Sequence, residues 1–313
     1  MIDITAVGEI LIDLTQSGVN ELGIPMFAAN PGGAPANLAV AAARLGASTA
    51  FIGKVGTDSY GTFLRNTLVE NHVDVSGMAV DQRNRTTLAV VAVDKTGERT
   101  FSFYRDPSAD VNLMAEEISV EQLKNTKFLH FGSVSLTTDP ARTATLYAAE
   151  TAKKNGAIIS YDPNYRASLW CDEATAVEQM LAPLPLVDVL KVSDEELPLL
   201  TGTSDLENGS RILADKGIAL VLVTLGANGA YYRFQGQTGH VPGMKVKVGN
   251  TNGAGDTFFG ATLAQLAKFE HLDDVTVADL EQILAVSNKA AGITTSRHGA
   301  IPAMPSYEEV FGA

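Results

Sequence analysis

Short apolar runs alternate along this chain with longer alanine- and leucine-rich segments, and this alternation constrains the fold most. The apolar runs are almost continuously hydrophobic, which is typical of strands buried on both faces of a parallel sheet. The pattern predicts strands at residues 4–7, 50–52, 128–131, 158–161, 187–192 and 220–224. It predicts helices at residues 36–45, 140–154 and 253–268. The predicted fold class is therefore α/β, with a mostly parallel central sheet and helices on both faces.

One segment breaks the alternation. Residues 86–93 and 99–105 are strand-like runs joined by Asp94-Lys95-Thr96-Gly97, a turn composition, so we expect a β-hairpin. A hairpin inserted early in a parallel sheet is best placed outside it, which predicts a small β lid formed from about residues 14–31 and 85–105. Edge strands of such a lid can pair with a second copy, so a homodimer through the lid is expected.

Length and composition exclude several classes of protein. The 313 residues allow two domains, but a single domain over residues 1–313 fits the pattern and is our prediction. A net charge of −13 argues against nucleic acid and against an anionic membrane surface as partners. A single cysteine, Cys171, excludes an internal disulfide and a cysteine-rich zinc site. With no run of membrane-span length, a cytoplasmic protein is expected.

Residues 250–258 read Asn-Thr-Asn-Gly-Ala-Gly-Asp-Thr-Phe and lead directly into an apolar stretch, so a helix is expected to begin there. Small residues let backbone N–H groups approach an anion closely, and the helix dipole adds positive potential. Asp256 lies where it can take a proton from an attacking hydroxyl. The pattern indicates phosphoryl transfer. The alternative is a tight turn followed by an acid that the dipole favours, and this segment alone does not decide between them.

Two N-terminal features are expected at the same edge of the sheet. Asp13 follows the first strand, and Gly32-Gly33 precede the alanine-rich helix that carries Asn37. Ligands of parallel sheets bind at the carboxyl ends of the strands, and a carboxylate and an amide beside glycine backbone suit the hydroxyls of a sugar. The alternative is that Gly32-Gly33 form a loop and Asn37 a residue of the helix start.

The chain resembles the ribokinase-like (phosphofructokinase-B type) family of sugar kinases over essentially its whole length. Residues 32–37, with 44–46, 53–56, Asp58 and Gly61, resemble the first signature of the family, and residues 252–258 resemble the second. Residues 162–166, Leu169-Trp170, and residues 191–197 and 100–105 are most similar to bacterial fructokinases. The resemblance implies ATP-dependent phosphorylation of a sugar's primary hydroxyl, which in fructokinases is the C6 hydroxyl of D-fructose.

Other readings of the same resemblance stay open. A kinase for 2-keto-3-deoxygluconate, ribose, a nucleoside or a sugar phosphate would share these motifs. Arg105 and Arg166 would be the candidates for binding an acidic substrate. A different class of protein is a sugar-binding regulator that has lost turnover. The intact Asp256 and glycine loop argue against that class.

The resemblance also implies roles for individual residues. Asp256 matches the catalytic base, and Gly253, Ala254 and Gly255 match the backbone anion hole. The positions that match or are candidates for sugar contacts are Asp13, Gly32, Gly33, Asn37, Arg166, Tyr104 and Arg105. For Arg166 the alternative is a salt bridge to Asp162 or Asp13. Tyr104 and Arg105 would enter from the lid hairpin, where an aromatic residue such as Tyr104 can instead serve in packing.

For the nucleotide, the resemblance implies contacts from Lys191, Ser193, Thr224, Gly226, Gly229 and Asn288. Glu196 matches the acid that organises Mg²⁺ through water, and its alternative role is that of an ordinary acid at a helix start. Asn250 replaces the aspartate with which the family commonly holds a monovalent cation. Because asparagine lacks the charge, we predict that potassium activation is weak or absent.

Overall fold

The computed structural model describes residues 1–93 and 99–312. The predicted turn at residues 94–97 lies outside these ranges. The strands in chain order are β1 (Ile2–Val7), β2 (Leu11–Val19), β3 (Pro25–Gly32), β4 (Thr49–Gly56), β5 (Val73–Asp74), β6 (Met78–Asp81), β7 (Leu88–Val93), β8 (Arg99–Tyr104), β9 (Thr126–Gly132), β10 (Ile158–Asp162), β11 (Val189–Ser193), β12 (Leu220–Thr224), β13 (Ala230–Phe234) and β14 (Gln237–Val241).

The α-helices begin and end close to the predicted bounds where a bound was predicted. In chain order they are α1 (Ala34–Arg44), α2 (Ser59–Glu70), α3 (Val120–Lys124), α4 (Ala141–Lys154), α5 (Glu173–Leu181), α6 (Glu196–Thr201), α7 (Leu206–Ala214), α8 (Ala254–Leu266), α9 (Val277–Thr295) and α10 (Tyr307–Phe311). Within the described ranges, no helix has the length and apolar character needed to cross a bilayer.

The central sheet has the strand order β14-β13-β12-β11-β10-β9-β1-β4-β5, with β6 pairing to β4. Neighbours from β12 to β5 are parallel, as the continuous apolar runs predict. At the other edge, β13 and β14 form an antiparallel hairpin that the sequence analysis did not predict. The α/β fold class with a mostly parallel sheet is confirmed.

Helices pack on both faces of this sheet. Phe128 of β9 is fully buried in a cluster with Phe259 of α8 and Leu284 of α9. Its neighbour Leu129 is fully buried in a separate cluster with Ala148 of α4. Because successive side chains of a strand point to opposite faces, these two clusters are the two cores that enclose the sheet.

A second, four-stranded sheet has the order β3-β2-β7-β8. The strands β7 and β8 pair antiparallel, which confirms the predicted hairpin. The strands β2 and β3 also pair antiparallel, and β2 pairs parallel with β7. This smaller sheet, which we call the lid, extends from the carboxyl end of β1 and brings Asp13 and Gly32 beside the central sheet's ligand-binding edge.

Candidate functional site

The first turn of α8 lies between two cavities. Gly253 and Asp256 line the first cavity, which we call the crevice. Ala254 and Gly255 line the second, which we call the cleft and which encloses about 480 Å³. The amide groups of a first helical turn have no partner within their helix, which suits an anion placed beside the turn. Here the N–H of Ala254 also donates to the carbonyl oxygen of Thr251, over a long distance of 3.3 Å.

Glycine at position 253 is required by the backbone. This N-cap residue of α8 has φ 74° and ψ 0°, in the left-handed region. A Cβ at this position would lie 3.0 Å from the Cβ of Ala300. The position of the amides in this turn therefore depends on a left-handed backbone conformation, which costs free energy for residues other than glycine.

Asp256 is buried at the crevice and held by two amide groups. The Nδ2 of Asn37 donates to Oδ2 of Asp256 at 2.8 Å, and the Nδ2 of Asn164 donates to Oδ1 at 3.4 Å. Burial raises the pKa of Asp256, while the Asn37 hydrogen bond, Lys191 and Arg166 counteract it. The carboxylate is thus oriented and more basic than a solvated aspartate.

Four of the predicted sugar-binding residues, Asp13, Gly33, Asn37 and Arg166, line the crevice together with Asp256. Burial raises the pKa of Asp13 to about 6, with Arg166 lowering it and Asp256 raising it further. Gly32 lies behind this surface, and a Cβ there would lie 2.5 Å from Oδ2 of Asp13. Glycine at 32 therefore leaves room for the Asp13 carboxylate.

Arg166 occupies the crevice without a carboxylate partner within salt-bridge distance in the described ranges. Its Nη1 donates to the carbonyl oxygens of Tyr165 at 3.0 Å and Asn164 at 3.4 Å. The alternative role as a salt bridge to Asp162 or Asp13 is therefore not seen.

Two candidate sugar contacts are not brought to the crevice. Tyr104 is 66% exposed on the lid. Arg105 is buried, and its guanidinium donates to Oδ2 of Asp110 at 2.7 Å, to Oγ1 of Thr137 at 2.7 Å and to the carbonyl oxygen of Val134 at 3.0 Å. With these three acceptors Arg105 joins the lid to the central unit, and the structure does not place it in the crevice.

The cleft brings together most of the predicted nucleotide contacts. Its lining includes Thr224, Gly226, Gly229 and Asn288, with the apolar side chains of Met244, Val246, Val248 and Phe258. The Nδ2 of Asn288 donates to the carbonyl oxygens of Val241 and Pro242, both at 3.1 Å. Asn288 therefore also fixes the start of the loop that forms the apolar wall.

Lys191 and Ser193, also predicted to contact nucleotide, do not line the cleft. The Nζ of Lys191 donates to Oδ2 of Asp162 at 2.6 Å, and both side chains are buried. Burial raises the pKa of Asp162 to about 6. Burial alone would lower the pKa of Lys191, but Asp162 and Glu196 outweigh it and raise it. A Cβ at Gly255 would lie 3.2 Å from this ammonium, which places a positive charge directly behind the α8 turn.

Glu196 stands at the start of α6. Its Oε1 accepts from the backbone N–H of Tyr165 at 2.7 Å, and its Oε2 accepts from that of Ser193 at 2.8 Å. The Oγ of Ser193 in turn accepts from the backbone N–H of Glu196 at 3.1 Å. Both residues therefore tie the ends of β10 and β11 together. Within the described ranges, no three acidic, histidine or cysteine side chains are grouped to hold a metal directly.

Asn164 and Glu9 are among the crevice residues to which the sequence assigned no role. Asn164, in the segment that follows β10, has φ 48°, a left-handed conformation that asparagine tolerates better than most residues. Its position within the residues 162–166 was the available signal. Glu9 also lines the crevice and is 3% exposed. Nothing in its local sequence distinguishes it from an ordinary acid after a strand.

Comparisons with known proteins agree with this geometry. The sequence pattern of the pfkB family carbohydrate kinases matches residues 1–306. The chain is 42% identical over 314 residues to a probable fructokinase-4 from Arabidopsis thaliana, covering 98% of this chain and 95% of that protein. A fructokinase structure from Xylella fastidiosa with bound ATP superposes with a TM-score of 0.91 at 32% identity, covering 99% of this chain and 97% of that one.

A fructokinase from Vibrio cholerae O395, in its fructose-, ADP- and calcium-bound form, has a TM-score of 0.90 at 35% identity. The superposition covers 98% of this chain and 97% of the Vibrio cholerae chain. With a helix start between two cavities and a family match over nearly all residues, this chain belongs to the pfkB family of carbohydrate kinases.

Proposed function

We propose that this chain is an ATP-dependent fructokinase that phosphorylates the C6 hydroxyl of D-fructose. The observation that carries the proposal is the first turn of α8, which lines the crevice on one side and the cleft on the other. A sugar in the crevice and a nucleotide in the cleft would meet at that turn. The fructokinase relatives and structures described above support the choice of sugar.

Bound ATP supplies the phosphoryl group, and the residues of this chain position and stabilise the transfer. Asp256 accepts the proton of the sugar hydroxyl. In a loose transition state, this proton leaves the hydroxyl oxygen late. The amides of residues 253–255 stabilise the negative charge that develops on the transferring group. The Lys191 ammonium behind Gly255 adds positive potential. Asn37 and Asn164 keep the Asp256 carboxylate in one orientation.

The charges of the crevice favour a neutral sugar over an acidic one. Three carboxyl groups, those of Glu9, Asp13 and Asp256, line it with one cation, Arg166. The other predicted arginine, Arg105, is bound to Asp110. A substrate carboxylate or phosphate would meet net negative potential there, which disfavours 2-keto-3-deoxygluconate and sugar phosphates.

Thr224, Gly226, Gly229 and the Asn288-supported loop would hold the nucleotide, with its base against the apolar wall of the cleft. We propose Mg²⁺ as the ion that accompanies the phosphates. Because both Glu196 oxygens already accept backbone N–H groups, Glu196 would act on that ion through water.

The monovalent cation is a separate expectation. Asn250 is buried, and its Oδ1 accepts from the backbone N–H of Asn252 at 2.8 Å. An asparagine oxygen provides a ligand without a negative charge, so potassium is expected to have little effect on the rate. Turnover measured in sodium and in potassium buffers at equal ionic strength checks this, and a many-fold rise in potassium would contradict it.

The proposed activity is tested by coupled ADP release with fructose, ribose, 2-keto-3-deoxygluconate and adenosine as acceptors. We expect the highest kcat/KM with fructose, and a product whose phosphate is on C6 by nuclear magnetic resonance. A higher kcat/KM with another acceptor would overturn the choice of sugar. Binding of fructose without any ADP release would favour the regulator.

We also propose that two copies associate through the lid, and that the protein is cytoplasmic. The lid's β2–β3 hairpin exposes a run of large apolar side chains, namely Val19, Leu22, Ile24, Met26 and Phe27. The strands β3 and β8 are the edges of that sheet, and an exposed edge with apolar side chains can be covered by a second lid.

The single cysteine supports the proposed cytoplasmic location, because it fits a reducing compartment.

A further inference from the structure

Glu9 is a buried acid of the crevice to which the mechanism above gives no role. It follows β1, and its Oε1 accepts from the backbone N–H of Ala34 at 3.0 Å. Its Oε2 is buried and has no hydrogen-bond partner. Among the described residues, it is the only buried carboxylate oxygen without a hydrogen-bond partner.

An unpartnered buried carboxylate oxygen is costly, so stability alone does not explain this residue. Burial raises the pKa of Glu9 to about 7, with its own backbone amide, Arg105 and Ala34 lowering it and Asp110 raising it. A neutral residue of the same length, such as glutamine, could accept from the same amide without burying a charge. The fold therefore tolerates a disfavoured acid at this position.

The carboxyl of Glu9 is connected to the reacting centre through a short chain of contacts. Gly33 precedes the bonded Ala34, has φ 104°, and packs so closely that a Cβ would lie 2.6 Å from the Glu9 carbonyl oxygen. These two residues begin α1, which carries Asn37 one turn later. Asn37 in turn holds the Asp256 carboxylate. Glu9 thus fixes the helix start from which the sugar and the base are positioned.

We propose that Glu9 is a positioning residue for the sugar: by holding the Ala34 amide, it sets the Gly33–Ala34 turn and the Asn37–Asp256 pair in the arrangement that accepts the substrate. This inference rests on the proposed function, since it concerns the same crevice. It predicts that the length of the side chain at position 9, rather than its charge, determines kcat/KM for the neutral sugar fructose.

Two variants separate these possibilities. Glu9→Asp keeps the charge but withdraws the carboxyl by one methylene from the Ala34 amide. Glu9→Gln keeps the length and an acceptor oxygen but removes the charge. We expect Glu9→Asp to lower kcat/KM for fructose by about 10-fold, the worth of one hydrogen bond, and Glu9→Gln to stay close to wild type. The KM for ATP should not change in either, because the cleft contains no residue of this chain of contacts.

Asp205→Ala is the matched control. It removes a carboxylate that caps a helix away from the crevice, where Oδ1 of Asp205 accepts from the backbone N–H of Asn208 at 2.7 Å. It should lower the melting temperature without changing kcat/KM for fructose. Loss of stability alone is thereby separated from loss of positioning.

Four outcomes would overturn the inference. Glu9→Asp with wild-type kcat/KM would show that the contact is dispensable, and an equal loss in Glu9→Gln would show that charge is what matters. A rise in the KM for ATP, or failure of Glu9→Asp to fold, would make the role structural. A wild type that does not phosphorylate fructose contradicts the proposed function instead. The variants are then compared on whichever of ribose, 2-keto-3-deoxygluconate and adenosine it uses, and use of none overturns both.

Discussion

At the scale of single residues, Asp256 combines burial with two amide donors. Such a carboxylate is held in one orientation and kept more basic than in water. We expect Asp256→Asn to fold and to bind sugar, but to lose about 10²–10⁴-fold in kcat, the usual contribution of a positioned general base. Single-turnover kinetics together with calorimetric titration of fructose measure both quantities. Near-normal turnover would remove Asp256 from its assigned role.

The buried Glu9 should be visible in the pH dependence of stability. Its pKa rises from 4.5 to about 7 on folding, so between these values the unfolded chain ionises first and stability falls as pH rises. A shift of that size corresponds to roughly 3 kcal/mol at most. The difference in free energy of unfolding between Glu9→Gln and wild type should therefore move in favour of the variant from pH 4.5 to 7. Urea titrations at several pH values measure it, and a flat difference would contradict it.

The position of a side chain in the crevice was predictable where a sequence motif included the residue, as for Asp13, Asn37 and Asp256. Arg105 and Tyr104 were not, because their sequence context gives a strand but not its surroundings. Whether an arginine near a site faces a ligand or a buried acid depends on tertiary contacts, here those with Asp110 and Thr137. The spacing of residues in the sequence does not indicate these tertiary contacts.

At the scale of elements, the start of α8 depends on a left-handed glycine. Gly253 and Gly202, the C-cap of α6, have nearly identical φ values of 74° and 75°. Gly202→Ala should lose about 1–2 kcal/mol of stability, since it forces an L-residue into that region. Gly253→Ala should lose at least as much, because its Cβ would also lie 3.0 Å from the Cβ of Ala300. Only Gly253→Ala should also lower kcat, because its turn presents the amides. Chemical denaturation and ADP release measure the two effects, and equal kinetics in both variants would contradict it.

The parallel strands were predicted because each is buried on both faces and reads as a short continuous apolar run. The edge hairpin β13–β14 was missed. Its first strand alternates buried and half-buried residues, and only the last residue of its second strand is buried. An edge strand needs fewer apolar residues, so its signal in sequence is weaker.

At the scale of the whole molecule, the lid presents an apolar surface whose covering by a second copy stays a prediction, as does the organisation of the chain as one domain. Phe27 in the lid is 46% exposed, and Phe63 in α2 is 43% exposed. If two lids associate, Phe27→Glu should shift the protein to monomer, because a charge would be buried in the interface, while Phe63→Glu should leave the dimer intact. Sedimentation velocity distinguishes the species, and a monomeric wild type would remove the proposed association.

The two cavities differ in how the chain builds them. The cleft is lined wholly by residues between Thr224 and Thr295, whereas the crevice draws on segments from Glu9 to Ala300. The residues that would bind the phosphate donor are therefore close together in the sequence and form a donor cassette. The residues that would select the acceptor come from distant parts of the sequence. Acceptor preference can consequently diverge among such kinases through exchanges in the first half of the chain, with the donor cassette left untouched.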